Sequence, residues 1–231
     1  MSIEIQAIKV QRLYLQVAEQ LQAMIESGAL EAGSRLPSER DLAGQFGVSR
    51  PTIREAMIAL EIAGLVEVRS GSGVYVLEQG DNPGAIHDVQ GPGPFEILEA
   101  RKLIEGETCA LAAERISDAQ LASLQLLLDE MAEENRRETI TEQADEKFHC
   151  LIAEAAGNSA LSATISWLWR LRNESEISTF FHQRMREEGD RPLLEDHQAI
   201  LDALRRRDAA ASRAAMTRHL QRVIDHLLEV M

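Results

Sequence analysis

Asp145 and His149 stand four residues apart in ADEKFHCLIAEAAGN, a segment whose apolar positions recur at helical spacing. One helical turn brings both side chains to the same side, where an aspartate oxygen and an imidazole nitrogen can grip one divalent ion. His197, in EDHQAILDAL, and His219, in MTRHLQRV, lie in further amphipathic patterns and would complete a set of three histidines and one carboxylate. Spacing alone equally accommodates packed or surface histidines, and an Asp/His pair at i and i+4 can be a surface hydrogen bond. If the set forms, its donors suit Zn²⁺ first, with Ni²⁺ and Mn²⁺ as alternatives, because donor type does not choose among them.

A catalytic zinc site would need a general base beside the ion. Glu146 follows Asp145 directly and so points about 100° away around the helix. His197 is preceded by Asp196 and has no HExxH frame. The expectation is therefore a metal that orients a bound ligand, with no catalytic residues and no enzyme activity. The competing reading is a helical metallohydrolase or lyase carrying an accessory DNA domain.

A second constellation runs from Leu36 to Val76, LPSERDLAGQFGVSRPTIREAMIALEIAGLVEVRSGSGVYV. Ser38 can cap a short helix built on Leu42 and Phe46 and ended by Gly47; Asp41 sits where the first amides favour negative charge. Ser49 is a second cap, Pro51 falls in the first turn, and Ile53, Met57 and Leu60 repeat at helical spacing up to Gly64. Val66 and Val68, the SGSG turn, then Val74 and Val76 read as a β-hairpin. Helix, turn, helix and wing together point to double-stranded DNA. The first turns of the second helix would enter the major groove, and the small residues of the wing tip would approach the minor groove. Arg40, Ser49, Arg50, Thr52, Arg54, Ser70 and Gly71 make up the expected DNA-facing set.

These elements need scaffolding on both sides. Leu13, Val17, Leu21 and Ile25 mark a preceding helix that Gly28 ends. Glu78 to Pro94, rich in Gly and Pro, is a linker. From Phe95 onward only helical patterns occur, at about 95–115, 118–136, 139–156, 159–183, 191–206 and 208–229, with Ser117 and Asp208 as caps. Trp167 and Trp169 cannot share a helix face, so one packs inward while the other lines a cavity or interface. The fold class is mainly α. A winged helix-turn-helix domain spans residues 1–79, a linker 80–94, and an all-helical bundle for metal, effector and dimerisation 95–231.

The 231 residues carry a net charge of −14, which at first argues against a nucleic-acid partner. Residues 1–79 hold 7 Lys and Arg against 10 Asp and Glu, a net −3, so most of the acidity belongs to the bundle. A DNA domain without net positive charge should bind weakly as a monomer and rely on a homodimer with two half-sites. Cys109 and Cys150 read as reduced core residues. With no signal peptide and no transmembrane run, the expectation is a soluble cytoplasmic protein with no membrane partner.

GSRLPSER followed by GVSRPTIREAMIALEIAGLVEVRSGSGVYV resembles the GntR-type winged-helix regulators over residues 11 to 79. That resemblance implies DNA contacts at Arg40, Arg50, Thr52, Arg54 and Gly71. Pro51 departs from the polar residue many members carry, which implies one missing contact. ARKLIEGETCALAAER, DEKFH and EDHQAILDALRRRDAAASRAAMTRHL resemble the helical FCD effector domain of the FadR subfamily. Its metal-binding members use one Asp and three His, which fall here on Asp145, His149, His197 and His219. The same resemblance implies an effector cavity lined by Arg101, which would pair with a carboxylate, and by Asn158, Trp169 and Arg172. GPGPFEILEARKLIE, FHCLIAEAAGNS and SWLWR are similar to segments of hexuronate repressors of the UxuR and ExuR type. The implied effector is a small carboxylic or sugar acid, and the implied role is repression.

Overall fold

The computed structural model describes residues 12–69, 71–78, 86, 89, 91–137 and 142–230. Ser70, His87, most of the expected linker and the expected helix start at 139 lie outside the described residues. The chain divides between Gln90 and Gly91 into two compact units.

In the first unit, α1 (Leu13–Glu26), α2 (Glu39–Phe46), α3 (Arg50–Ile62), β1 (Val66–Arg69) and β2 (Gly73–Val76) follow the sequence pattern closely. Ser38 accepts the Asp41 amide at 3.2 Å, and Ser49 accepts the Thr52 amide at 3.2 Å; each cap satisfies an otherwise orphaned donor and contributes about 1 kcal/mol. Gly47 ends α2 in the left-handed region, φ 67°, which a residue with a Cβ enters at a cost. Tyr14, Val17 and Leu21 of α1 pack toward α3, whose Ile53, Met57 and Leu60 are buried. Leu13 is exposed instead, because Tyr14 and Leu15 take the inward positions of that turn. The strands pair antiparallel with Val66 opposite Val76 and Val68 opposite Val74.

The second unit is helical: α4 (Pro94–Arg115), α5 (Asp118–Arg136), α6 (Gln143–Ala155), α7 (Ser159–Glu174), α8 (Glu176–Glu187), α9 (Leu194–Arg205) and α10 (Ala209–Val230). Its axis is α4, which packs against α6, α7, α8, α9 and α10. A helix surrounded on so many sides cannot keep a polar face in water, so Arg101, Glu105 and Thr108 are buried with the apolar residues of α4. Lys102 bonds Gln221 at 2.8 Å and Arg213 bonds Glu107 at 2.7 Å, so α4 and α10 run antiparallel. Gly106 lets them approach closely, since a Cβ there would lie 2.6 Å from Thr217 Oγ1. Ser117 and Gln120 close a reciprocal capping box on α5, and Asp208 Oδ1 accepts the Ala211 amide at the start of α10.

One expected helix, 159–183, is two. The apolar period runs on without Gly or Pro from Ile165 through Leu168 to Ile177 and Phe181, so nothing local announces a break. The cause is tertiary: at Ser175 the backbone turns extended, ψ 123°, and its hydroxyl donates to the Pro92 carbonyl at 2.7 Å. Among the described residues no helix is long and apolar enough to cross a membrane.

Candidate functional site

Of the expected DNA-facing set, Ser49, Arg50 and Thr52 stand at the N-terminus of α3. Arg40 and Ser49 are exposed on α2 and the intervening turn. Arg50 is half-exposed, with Nη2 3.5 Å from Glu39 Oε2. Thr52 Oγ1 lies 2.8 Å from Ser49 Oγ, so the cap hydroxyl and the first-turn hydroxyl are held together. Gly71 sits exposed at the wing tip with φ 69°. Arg54 corrects the expectation of an outward reader: it is 3% exposed and its Nε donates to Glu39 Oε1 at 2.6 Å. On α3 it lies one turn beyond Arg50, and the carboxylate on α2 draws it in. Glu39 thus ties both arginines of α3 to α2. Two arginines at the wing, one on β1 and one bridging to β2, were missed by sequence reasoning. Arg69 stacks its guanidinium 4.5 Å from the Tyr75 ring centroid, and Arg35 fills the space a Cβ on Gly73 would need.

In the helical unit, α6 supplies Asp145 and His149, α9 supplies His197, and α10 supplies His219. One ligand atom from each lies within 4.8 Å of all the others. His197 Nε2 is 2.8 Å and His149 Nε2 3.4 Å from the same Asp145 oxygen. Metal bonds of about 2.1 Å place neighbouring donors roughly 3 to 3.5 Å apart, so these spacings are those of coordination edges.

The surroundings fit a metal as well. His149 Nδ1 is hydrogen-bonded to Glu105 Oε2. His197 Nδ1 donates to the Leu193 carbonyl at 2.8 Å, and His219 Nδ1 lies 3.6 Å from Asp196 Oδ2. In His149 and His197 an outer oxygen takes Nδ1 and leaves Nε2 for the centre, the arrangement that fixes the tautomer of metal-ligating imidazoles, whereas the Asp196 carboxylate stands near His219 without a hydrogen bond. His149 Nε2 is buried with no hydrogen-bond partner among the described residues, as expected of a nitrogen meant for an ion.

Electrostatics follow the same plan. Burial would raise the Asp145 carboxyl, but the adjacent imidazoles of His149 and His197 hold it well below the usual range. Burial likewise opposes ionisation of Glu105, yet Arg101 and His149 hold it down at about 2. His219 is pushed down to about 4, chiefly by burial, so it is neutral and ready to ligate near pH 7. His149 moves the other way: burial favours its neutral form, and the charges of Glu105 and Asp145 outweigh that.

Beside the cluster lies a cleft, open to solvent, with a cavity volume of about 60 Å³. Arg101 lines it. Its Nε donates to Glu105 Oε1 at 2.6 Å, its guanidinium lies 3.9 Å over the Trp169 ring, and its buried Nη2 has no partner among the described residues. Such a buried cation with a spare donor is ready for a carboxylate. Arg172 also lines the cleft, paired with Glu142.

Two expected effector residues are corrected. Asn158 caps α7, its Oδ1 accepting from Ala160 and Leu161 at 3.1 and 3.3 Å, and it is exposed away from the cleft. Trp169 is fully buried and its ring face is covered by Arg101, so it backs the arginine and offers no open face for a sugar. Trp167 is the outward member of the pair, 48% exposed.

Sequence reasoning missed Glu105, Asp196 and His182. For Glu105 the i+4 spacing from Arg101 was the available signal. For His182 there was none within an apparently continuous helix.

A winged helix-turn-helix followed by an all-helical unit defines a class of DNA-binding regulator. The FCD domain matches residues 96–222, and the bacterial regulatory proteins of the gntR family match residues 13–76. The chain belongs to the GntR family and is a DNA-binding transcriptional regulator, not an enzyme. It is 36% identical over 226 residues to the Uxu operon regulator of Haemophilus influenzae, covering 96% of this chain and 84% of that protein. The Uxu operon transcriptional regulator of Escherichia coli K12 is 37% identical over 235 residues, covering 96% and 90%. The Exu regulon transcriptional regulator of the same organism is 35% identical over 215 residues, covering 91% and 82%.

Proposed function

We propose that this regulator is a homodimeric, metal-containing repressor of sugar-acid catabolism whose effector is a hexuronate or a keto-acid derived from one. Residues 1–79 read the operator, 80–94 link, and 95–231 bind metal and effector and dimerise. One observation carries the effector site: the buried, unpartnered Nη2 of Arg101 in the cleft beside Asp145, His149, His197 and His219. Likeness to regulators named for the uxu operon and exu regulon supports the sugar-acid class.

A divalent ion held by the four residues, Zn²⁺ first and Ni²⁺ or Mn²⁺ as alternatives, supplies a Lewis-acidic position for a carboxylate and an adjacent oxygen. Arg101 donates to the carboxylate and neutralises it. Glu105 keeps Arg101 in place, and Trp169 supports the guanidinium from behind. Arg50, Thr52 and Arg54 serve the major groove, with Arg40, Ser49 and the tip residues Ser70 and Gly71 completing the contact. Arg54 would have to leave Glu39 to touch DNA. Effector and operator each weaken the other's binding by the same factor, since linkage is reciprocal.

The test is a titration of labelled operator with metal-loaded protein in the presence of D-glucuronate, D-galacturonate and their keto-acid isomers. A weakened binding curve with one of them is expected; unchanged curves with all of them end the sugar-acid reading. Metal analysis of untagged protein, with His149→Ala as comparison, tests the ion separately.

A further inference from the structure

The cleft does not stop at the Asp/His₃ cluster. His219, Leu220, Val223, His226 and Leu227 line it from one face of α10, and the seven residues from His219 to His226 advance about 10.5 Å along the helix. Because α4 runs antiparallel to α10 with Lys102 level with Gln221, Leu98 stands near the His226 end. The cleft therefore has an anchoring end at His219 and a far end two turns away.

The far end has its own chemistry. His226 Nε2 lies 3.0 Å from Asp190 Oδ1. On α8, His182 lines the cleft, is nine-tenths buried, and makes no hydrogen bond among the described residues. Its ring nitrogens are not sealed from the cleft it lines, so a group inside the cleft can take up their hydrogen-bonding capacity. Burial, then Arg172, Arg186 and Arg101, keep this imidazole neutral, so it offers one donor and one acceptor. The two cations nearest it are already matched: Glu142 pairs with Arg172 and, at 3.7 Å, with Arg186.

We propose that His182 and the Asp190–His226 pair form a distal subsite that reads the hydroxyls at the far end of a polyhydroxylated carboxylic acid. The inference rests on the reading that the acid's carboxylate is anchored at Arg101 and the Asp/His₃ cluster. A hydroxyl can donate to Asp190 while accepting from an imidazole. A second carboxylate would meet Asp190 as a like charge, while the guanidinium of Arg191 beside it is turned to the Arg186 and Asp190 carbonyls at 2.8 and 2.6 Å. A three-carbon acid anchored at the near end would not reach the pair. The distal subsite thus selects long monocarboxylic polyols over short acids and over dicarboxylic acids of equal length.

Isothermal titration of the metal-loaded full chain tests this. The probes are D-glucuronate, D-galacturonate and their keto-acid isomers, with lactate as the short acid and galactarate as the dicarboxylic one. Wild type should bind at least one six-carbon monocarboxylic acid about tenfold or more tightly than lactate or galactarate. His226→Ala, at a half-exposed position, and His182→Phe should each remove about tenfold from that affinity. Lactate binding and metal content should stay within twofold. If no acid binds wild type, the anchoring reading falls, and the distal subsite with it. If acids bind but lactate or galactarate binds as tightly as the six-carbon acids, the distal subsite is overturned and the anchor stands. Equal loss for long and short acids in His226→Ala, or no loss, overturns it likewise.

Discussion

Glu105 holds His149 from behind: its Oε2 is hydrogen-bonded to Nδ1 of the imidazole, whose Nε2 faces Asp145, His197 and His219. Its other oxygen takes the Nε–H of Arg101 at 2.6 Å. A single buried carboxylate therefore sets both the orientation of a proposed metal ligand and the position of the cation proposed to meet the effector.

Glu105→Gln keeps the shape but loses the charge, and outer-sphere partners of ligating histidines are worth about 10–100-fold in metal affinity. A loss of that size is expected in competition with a chromogenic chelator. Glu107→Gln, two residues along α4 at an exposed pair with Arg213, should leave affinity unchanged. Equal affinities in both variants would remove Glu105 from the site.

The same residue gives an acid limb to stability. Its folded carboxyl titrates at about 2 against an ordinary 4.5, so between those values the unfolded chain binds more protons. The stabilisation is complete above about pH 4.5 and is lost as pH falls toward 2; Asp145, also depressed, acts in the same direction. Urea unfolding of metal-free protein should show its midpoint falling across this window, with a shallower fall in Glu105→Gln. Parallel curves for the two proteins would contradict the assignment.

Thiol reactivity probes the packing of α4. Cys109 is fully buried and its thiol is pushed up to about 12, first by burial and then by the charge of Glu105. Cys150 is partly exposed, also raised, with Sγ 3.8 Å from Ser166 Oγ. Since the thiolate is the reactive form, iodoacetamide at pH 8 should label Cys150 slowly and Cys109 only after denaturation. Mass spectra of native protein carrying two labels would show α4 opening where it is drawn closed.

What was legible in the sequence divides by the range of the interactions involved. Caps such as Ser38, Ser49, Ser117 and Asp208 act within one turn, so their helices could be read directly. The Asp145/His149 pair was visible at i and i+4, while His197 and His219 were open candidates that resemblance tied to the set, because only the packing of α6, α9 and α10 brings them together. Ser175 was silent: its bond to Pro92, 83 residues away, leaves no local mark. Splitting that helix is what places α8 as a separate element, with His182 at the cleft. Asn158 and Trp169 failed for opposite reasons. The first satisfies its own helix end, and the second lies behind the arginine it was expected to accompany.

Arg50 and Arg54 share Glu39 but differ in burial, and that separates their roles. Arg50 is half-exposed with a 3.5 Å contact, so Arg50→Ala should change stability by no more than about 0.5 kcal/mol. Its operator affinity should fall by about 1–3 kcal/mol if it grips a base, or show a salt slope shallower by about one if it meets a phosphate. Arg54 is buried on Glu39 at 2.6 Å; Arg54→Ala leaves that carboxylate only the longer contact to Arg50 and should lower stability by roughly 1–3 kcal/mol as well as weakening DNA binding. Thermal unfolding beside fluorescence anisotropy on an operator selected from random DNA, at several salt concentrations, distinguishes the two. Arg54→Ala with full thermal stability and lost DNA binding would make it a direct reader and leave Glu39 no part in holding α3 to α2.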